Sequence, residues 1–234
     1  MTNLIFKCRC SQIAKIMTQP RNKSDLISKT TQSFLEQWLK ELIYKRKKEF
    51  SSKYTEKGIQ VENSSIEFAS EQLGWGMVFK NEQFFENDRL TGTPDIILKD
   101  RIIDIKNSWD CFTFPVLDAA LEHSDYYWQV QGYMALTGLE MAQVVYVLSD
   151  TPEHLVEDEI RRQGWKMGFI DIPIEFEDEI RYKLSYADIH PKLRIKPFDV
   201  PRNQSDIDFI YSQVAKCNLY LAPIIEQLKE KNWI

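Results

Sequence analysis

The sequence predicts an α/β protein in which helices pack around a central β-sheet. Two observations carry this. Long segments place apolar residues at spacings of three and four, as helices do, and between them shorter runs are rich in β-branched residues, as strands are. No stretch has linker composition, so residues 1–234 are expected to form one domain: a basic helical segment over 1–60, a core over 61–150, and C-terminal helices and a strand over 151–234.

Taken in order, Asn22–Ser33 is polar and reads as a loop turning into a helix start. From Ser33, the residues Phe34, Leu35, Trp38, Leu39, Leu42 and Ile43 mark an amphipathic helix, continued by the basic run Tyr44–Phe50, where cations suit a helix C-terminus. A second helix is expected over Val61–Leu73, ended by Gly74-Trp75-Gly76. The period then changes. Met77–Phe85 reads as a strand, Asn87-Asp88-Arg89 as a turn, and Gly92–Leu98 as the entrance to a further strand. Lys99-Asp100 turns tightly into the strand Arg101–Lys106. Tyr126–Thr137 is expected to be helical with Gly138 as its C-cap, and Ala142–Leu148 to be a buried strand. Helices near Glu153–Arg162 and Glu175–Ser185, a strand over Leu193–Val200 and a helix over Gln204–Lys231 complete the pattern.

Composition narrows the class. With 43% hydrophobic and 12% aromatic residues and a net charge of only −5, the chain is not of disordered type, and eight Gly with nine Pro exclude collagen-like sequence. No apolar run is long enough for a membrane span, and Met1–Arg9 lacks the apolar core of a signal peptide, so no membrane association and a cytoplasmic location are expected. Cys8, Cys10, Cys111 and Cys217 have no C-x-x-C spacing and read as reduced thiols. His123, His154 and His190 are scattered, which gives no support to a histidine metal site or nucleophile. Charge is unevenly spread: residues 1–60 hold 13 Lys and Arg against 5 Asp and Glu, whereas 61–234 hold 17 against 30. A basic segment joined to an acidic body can deliver a polyanion to a metal-binding centre, and it can equally be a solvated lysine-rich helix.

The chemistry concentrates in Thr91-Gly92-Thr93-Pro94-Asp95 and Asp104-Ile105-Lys106. On a strand, Asp104 and Lys106 share one face while Ile103 and Ile105 take the other, and Asp95 begins the neighbouring strand beside them. Two carboxylates with a nearby ammonium suit phosphodiester hydrolysis. The acids hold Mg²⁺, or Mn²⁺ in its place, which acidifies water and neutralises developing charge, and the lysine positions the water or stabilises the transition state. A charged surface hairpin is the plainer account of the same residues.

Pro94-Asp95 with Asp104-Ile105-Lys106 resembles the PD-(D/E)xK nuclease superfamily, and the surrounding segments resemble its phage lambda exonuclease and YqaJ-like viral recombinase group. Gln60-Val61-Glu62-Asn63 is similar to that group's Q-x-E-N helix, and Trp128-Gln-Val-Gln-Gly-Tyr-Met134 to its A-Q-V-Q-x-x-M helix. Arg9–Arg21 is similar to its serine-bearing segment ending in Pro-Arg. The resemblance implies a restriction-endonuclease-like core, with Asp95 and Asp104 as metal ligands, Lys106 as the catalytic lysine and Glu62 as a further metal or water ligand. Gln129 and Gln131 lie about 200° apart on a helix, so only one can face such a site; Gln129, which shares a face with Tyr126 and Tyr133, is the expected one. By the same resemblance Ser11 falls on the serine of a 5′-phosphate site, Leu4 stands where lambda exonuclease has the arginine so that Arg9 would have to substitute from a different offset, and Arg21 of the Pro-Arg element would contact the DNA end; Ser11 serves equally well as an N-cap for a helix over Gln12–Met17. The hairpin between Asp95 and Asp104 is shorter than in lambda exonuclease, and Asp104 replaces its Glu.

The activity so implied is Mg²⁺-dependent 5′-to-3′ digestion of linear double-stranded DNA in a phage-type recombination system. It would act as a homo-oligomer, a trimer by resemblance, alongside a single-strand annealing protein. The alternatives are a structure-specific endonuclease, a Cas4-like nuclease, or a non-catalytic DNA-binding protein on the same fold. The four cysteines lack the clustered spacing of an iron–sulfur site.

Overall fold

The computed structural model describes residues 4–48, 52–121 and 124–233. Its helices are α1 (Ala14–Met17), α2 (Lys29–Tyr44), α3 (Lys53–Leu73), α4 (Ser124–Thr137), α5 (Glu153–Met167), α6 (Ile174–Leu184) and α7 (Gln204–Glu230). Its strands are β1 (Cys8–Arg9), β2 (Phe85–Glu86), β3 (Leu90–Gly92), β4 (Ile96–Ile97), β5 (Ile102–Asn107), β6 (Met141–Val147) and β7 (Ile195–Pro201).

The main sheet runs β4-β5-β6-β7. Only β5 and β6 are parallel, and α4 is the crossover that parallel neighbours require. Alternation along these strands divides the core between the two sheet faces. Ile103, Ile105, Val145 and Val147 meet Ile66 and Ala69 of α3 on one side. Ile102, Val144 and Phe198 join Val130 and Met134 of α4 and Val214 of α7 on the other. The expected α/β class with a mixed sheet flanked by helices is thus observed, with one addition: β1, β3 and β2 form a separate small sheet. Strands of two or three residues leave no readable alternation, which is why the sequence does not announce it.

Several boundaries differ from expectation, each for a local reason. Helix α2 starts four residues before Ser33, because Ser28 caps it by accepting the Thr31 N–H at 3.0 Å. It stops at Tyr44, where Lys45 adopts a left-handed conformation with φ 52°, so residues 45–48 are not helical; the remainder of the expected basic extension, 49–50, lies outside the described residues. Helix α3 begins at Lys53 behind the Ser52 cap, its first turns being mostly polar with Tyr54 and Ile59 exposed. Met77–Phe84 is not a strand. It is irregular chain held to the β4 entrance, where the Asn81 N–H donates to the Asp95 carbonyl at 2.7 Å and Asn81 Nδ2 to the Pro94 carbonyl at 3.0 Å. Ser11 is not a helix N-cap: it sits inside the 3₁₀ turn Cys10–Gln12 that precedes α1. Among the described residues no helix is long and apolar enough to cross a membrane. All four cysteines are free thiols.

Gln131 is buried on α4 and ties that helix to the start of α7. Its Nε2 donates to the Pro201 carbonyl at 2.8 Å and its Oε1 accepts the Asn203 N–H at 2.9 Å. Replacing it by methionine leaves both backbone groups unpaired, so Gln131→Met should lower the unfolding free energy by about 2–4 kcal/mol in urea titrations; an unchanged urea midpoint would show that these bonds do not secure α7.

Candidate active site

Strand β5 presents the charged groups. Ile103 and Ile105 enter the apolar layer beneath α3, so Asp104 and Lys106 face α4. Asp104 is 0% exposed, a costly place for a carboxylate without partners. It has two. Gln129 Nε2, from α4, donates to Oδ1 at 3.0 Å, and Lys106 Nζ lies 2.7 Å from Oδ2. The lysine contact is an ion pair off the hydrogen-bond direction, so Oδ2 accepts no hydrogen bond.

Asp95 arrives from the adjacent strand. β4 pairs antiparallel with β5, Ile96 opposite Ile103, which sets Asp95 across from Asp104 at the open end of β4. Its Oδ2 accepts the Ile105 N–H at 2.8 Å, a side chain taking over from the ladder where the strand stops. Burial first, and then the Asp104 charge, push the Asp95 carboxyl up to about 7, against the downward pull of Lys106 and the Ile105 N–H.

Lys106 closes the cluster. Its ammonium donates to Gln129 Oε1 at 3.3 Å and stands 4.6 Å from the centroid of the Tyr126 ring. Burial works to lower its pKa, but Asp104 and Asp95 more than offset this and hold it above the usual lysine value, so the ammonium stays charged. Gln129 therefore connects acid and base. Its amide nitrogen reaches Asp104 and also the Tyr133 hydroxyl at 3.0 Å, while its amide oxygen takes Lys106. A neutral amide can serve both without adding charge.

The aromatic pair Tyr126 and Tyr133 shares the Gln129 face, as the helical spacing requires, and both belong to the site, although residue type alone assigned them no part. Lys80 was not foreseen. It pairs with Glu62 at 2.6 Å from the segment between α3 and β2, and a lone lysine eighteen residues from Glu62 offers no pattern to read. Glu62, on α3, raises the Asp95 pKa only as the smallest of the contributions. Among the described residues no group of three or more His, Cys, Asp or Glu is arranged to hold a metal ion, and Glu62 is engaged by Lys80. That pair fits Mg²⁺ in its chemistry: two hard oxygen donors, one with a buried oxygen free of hydrogen bonds, for an ion that takes one or two carboxylates and keeps its waters.

The residues proposed for the DNA end lie on the N-terminal segment. Arg9 and Ser11 are exposed at the end of β1 and in the 3₁₀ turn, and Arg21 is exposed in the loop before α2. No bond links them among the described residues. The turn does lie beside the acids, because Cys10 packs against Gly92 and Gly132, and the Asp104 charge adds to burial in pushing its thiol well up.

The crowding of the two acids has a direct readout. Asp104→Asn removes the charge that, after burial, does most to raise Asp95. The Asp95 side-chain pKa, followed by ¹³C NMR in metal-free protein, should therefore fall below about 7 in the variant. An unmoved titration would mean that the two carboxylates do not sense each other.

No family model matches the sequence, and no curated protein matches it by sequence. Solved structures do. A phage-related exonuclease from Haemophilus somnus 129PT superposes with a TM-score of 0.76 at 26% identity, covering 96% of this chain and 97% of that one. An alkaline exonuclease, LHK-Exo, from Laribacter hongkongensis superposes with a TM-score of 0.66 at 15% identity, covering 97% and 93%, and its complex with dAMP gives 0.66 at 16% identity over the same shares. These likenesses run nearly end to end, and the chain has the lambda exonuclease/YqaJ-like fold of the PD-(D/E)xK nucleases.

Proposed function

We propose that this chain is a divalent-cation-dependent deoxyribonuclease that degrades linear double-stranded DNA from its 5′ ends, in a phage-type recombination system. The observation that carries the reading is the meeting of Asp95 and Lys106, both half-buried, with the buried Asp104, on a fold shared with exonucleases.

Asp95 and Asp104 would hold Mg²⁺, or Mn²⁺. Such an ion supplies Lewis acidity at a scissile phosphate and offsets the charge gained in the transition state. The chain's own groups do the rest. Lys106 keeps a fixed positive charge where the phosphate must sit, and Gln129 fixes both the lysine and the acid. Asp95, whose carboxyl burial and the Asp104 charge push up to about 7, would have to be deprotonated to hold the cation. Glu62, released from Lys80, is the reserve carboxylate beside them. The excess of Lys and Arg in residues 1–60 draws the polyanionic duplex toward the site. Arg9, Ser11 and Arg21 supply exposed donors for a terminal 5′-phosphate. The working form is a homo-oligomer, a trimer by resemblance, and its partner is a single-strand annealing protein.

With Mg²⁺, linear duplex should release nucleotides while a closed circle stays intact; nicking of the circle would favour an endonuclease, and retardation of both without cutting a binding module. Lys106→Ala should retain DNA binding in gel-shift assays and lose at least 100-fold in rate, the scale expected for one preorganised charge, and full turnover would remove Lys106 from the chemistry. Because the proton on Asp95 competes with the cation, the rise in melting temperature on adding Mg²⁺ should be smaller at pH 6 than at pH 8; equal gains would contradict Asp95 as a ligand. Dephosphorylated 5′ ends should be digested more slowly, and equal rates would discard the Ser11 and arginine site.

A further inference from the structure

The ammonium of Lys106 has three neighbours of different kinds: Asp104 Oδ2 at 2.7 Å, Gln129 Oε1 at 3.3 Å, and the face of Tyr126, whose ring centroid is 4.6 Å away. The first is the strongest at rest and the least dependable at work. Asp104 is one of the two carboxylates that fit a divalent cation. A cation that engages it weakens its hold on the ammonium and repels that ammonium at short range. Lysine has a flexible four-carbon stem, so a side chain held by Asp104 alone would turn away as the cation arrived.

An aromatic face behaves differently. It attracts an ammonium through the ring quadrupole and has no charge for a metal to claim. The Tyr126 ring is also fixed in place. Tyr126 lies one helical turn before Gln129 on α4, so both reach Lys106 from one rigid element. Its ring meets Tyr146 of β6 edge-on at 6.0 Å and 66°, and Tyr146 meets Phe198 of β7 at 5.8 Å and 84°. A row of aromatic rings thus runs from the lysine across two strands of the main sheet, its inner members buried in the core.

We infer that Tyr126 is the metal-independent anchor of Lys106: its ring, with the Gln129 carbonyl oxygen beside it, keeps the ammonium facing the aspartates when Asp104 engages a divalent cation. Tyr126 is a positioning residue that acts through Lys106, and the ring does the holding, not the hydroxyl. The inference rests on the nuclease reading for the role given to Lys106.

The test compares Tyr126→Phe and Tyr126→Leu on linear duplex with Mg²⁺. Tyr126→Leu should lower kcat about 3- to 30-fold, the range of a partly desolvated cation–π contact, with KM little changed. Tyr126→Phe should recover most of that rate. On the residual activity of Lys106→Ala, Tyr126→Leu should cost nothing more. A leucine variant as fast as the parent, a phenylalanine variant as slow as the leucine one, or an equal loss without Lys106 overturns the inference. Should Tyr126→Leu fail to fold, the parent protein still decides. The Lys106 ε-methylene protons, shielded by the ring, should keep their upfield NMR shift when Mg²⁺ is added without DNA, and collapse of that shift overturns the anchor. A protein that never cuts DNA yet keeps the shift would sink the nuclease reading and leave the anchor standing.

Discussion

A carboxylate with no exposed surface, Asp104, is the constraint around which this molecule is arranged. Removing such a charge from water costs several kcal/mol unless positive charge and hydrogen bonds replace the solvent. One ammonium and one amide do so here, and Asp95 beside them adds a second acid to the same small volume. The side chains of the site are therefore short of positive charge. Burial first, and then the Asp104 charge, push the Asp95 carboxyl up to about 7, and the shortage is the physical reason to expect a hard cation at the two acids.

The fold supplies this arrangement through the two faces of one strand. Alternation sends the β5 isoleucines beneath α3 and turns Asp104 and Lys106 toward α4. The short β4 ends in time for the Asp95 side chain to take the Ile105 N–H, and that single bond fixes the second acid. α4 then closes the site with Gln129, Tyr133 and Tyr126 on one face, while Gln131, on another, secures α7. Two glutamines two residues apart in one motif thus have unrelated partners, the charged cluster for Gln129 and the α7 entrance for Gln131.

What could be read from the sequence follows the range of the interactions involved. The Asp104–Lys106 face and the buried isoleucines were legible because strand alternation is local and strict. Gln129 was separable from Gln131 because helical geometry forbids both from facing one point. The small sheet was not legible, since its strands are too short to carry a period, and the Met77–Phe84 segment misled because its apolar content reflects exposure beside the site and not pairing. The start of α3 was hidden by a mostly polar first turn whose capping serine looks like any loop serine. The Lys80–Glu62 pair and the aromatic row behind Lys106 depend on contacts between distant segments, which no spacing rule reports.

The central claim is that Asp95 and Asp104 together chelate a divalent cation with Lys106 alongside. Crystals grown with Mn²⁺ test it most directly, through the anomalous signal of the ion. The account predicts a peak within bonding distance of one oxygen from each aspartate, with the Lys106 ammonium still beside them. A peak bound elsewhere, or a site that stays empty at millimolar Mn²⁺ and pH 8, would contradict it.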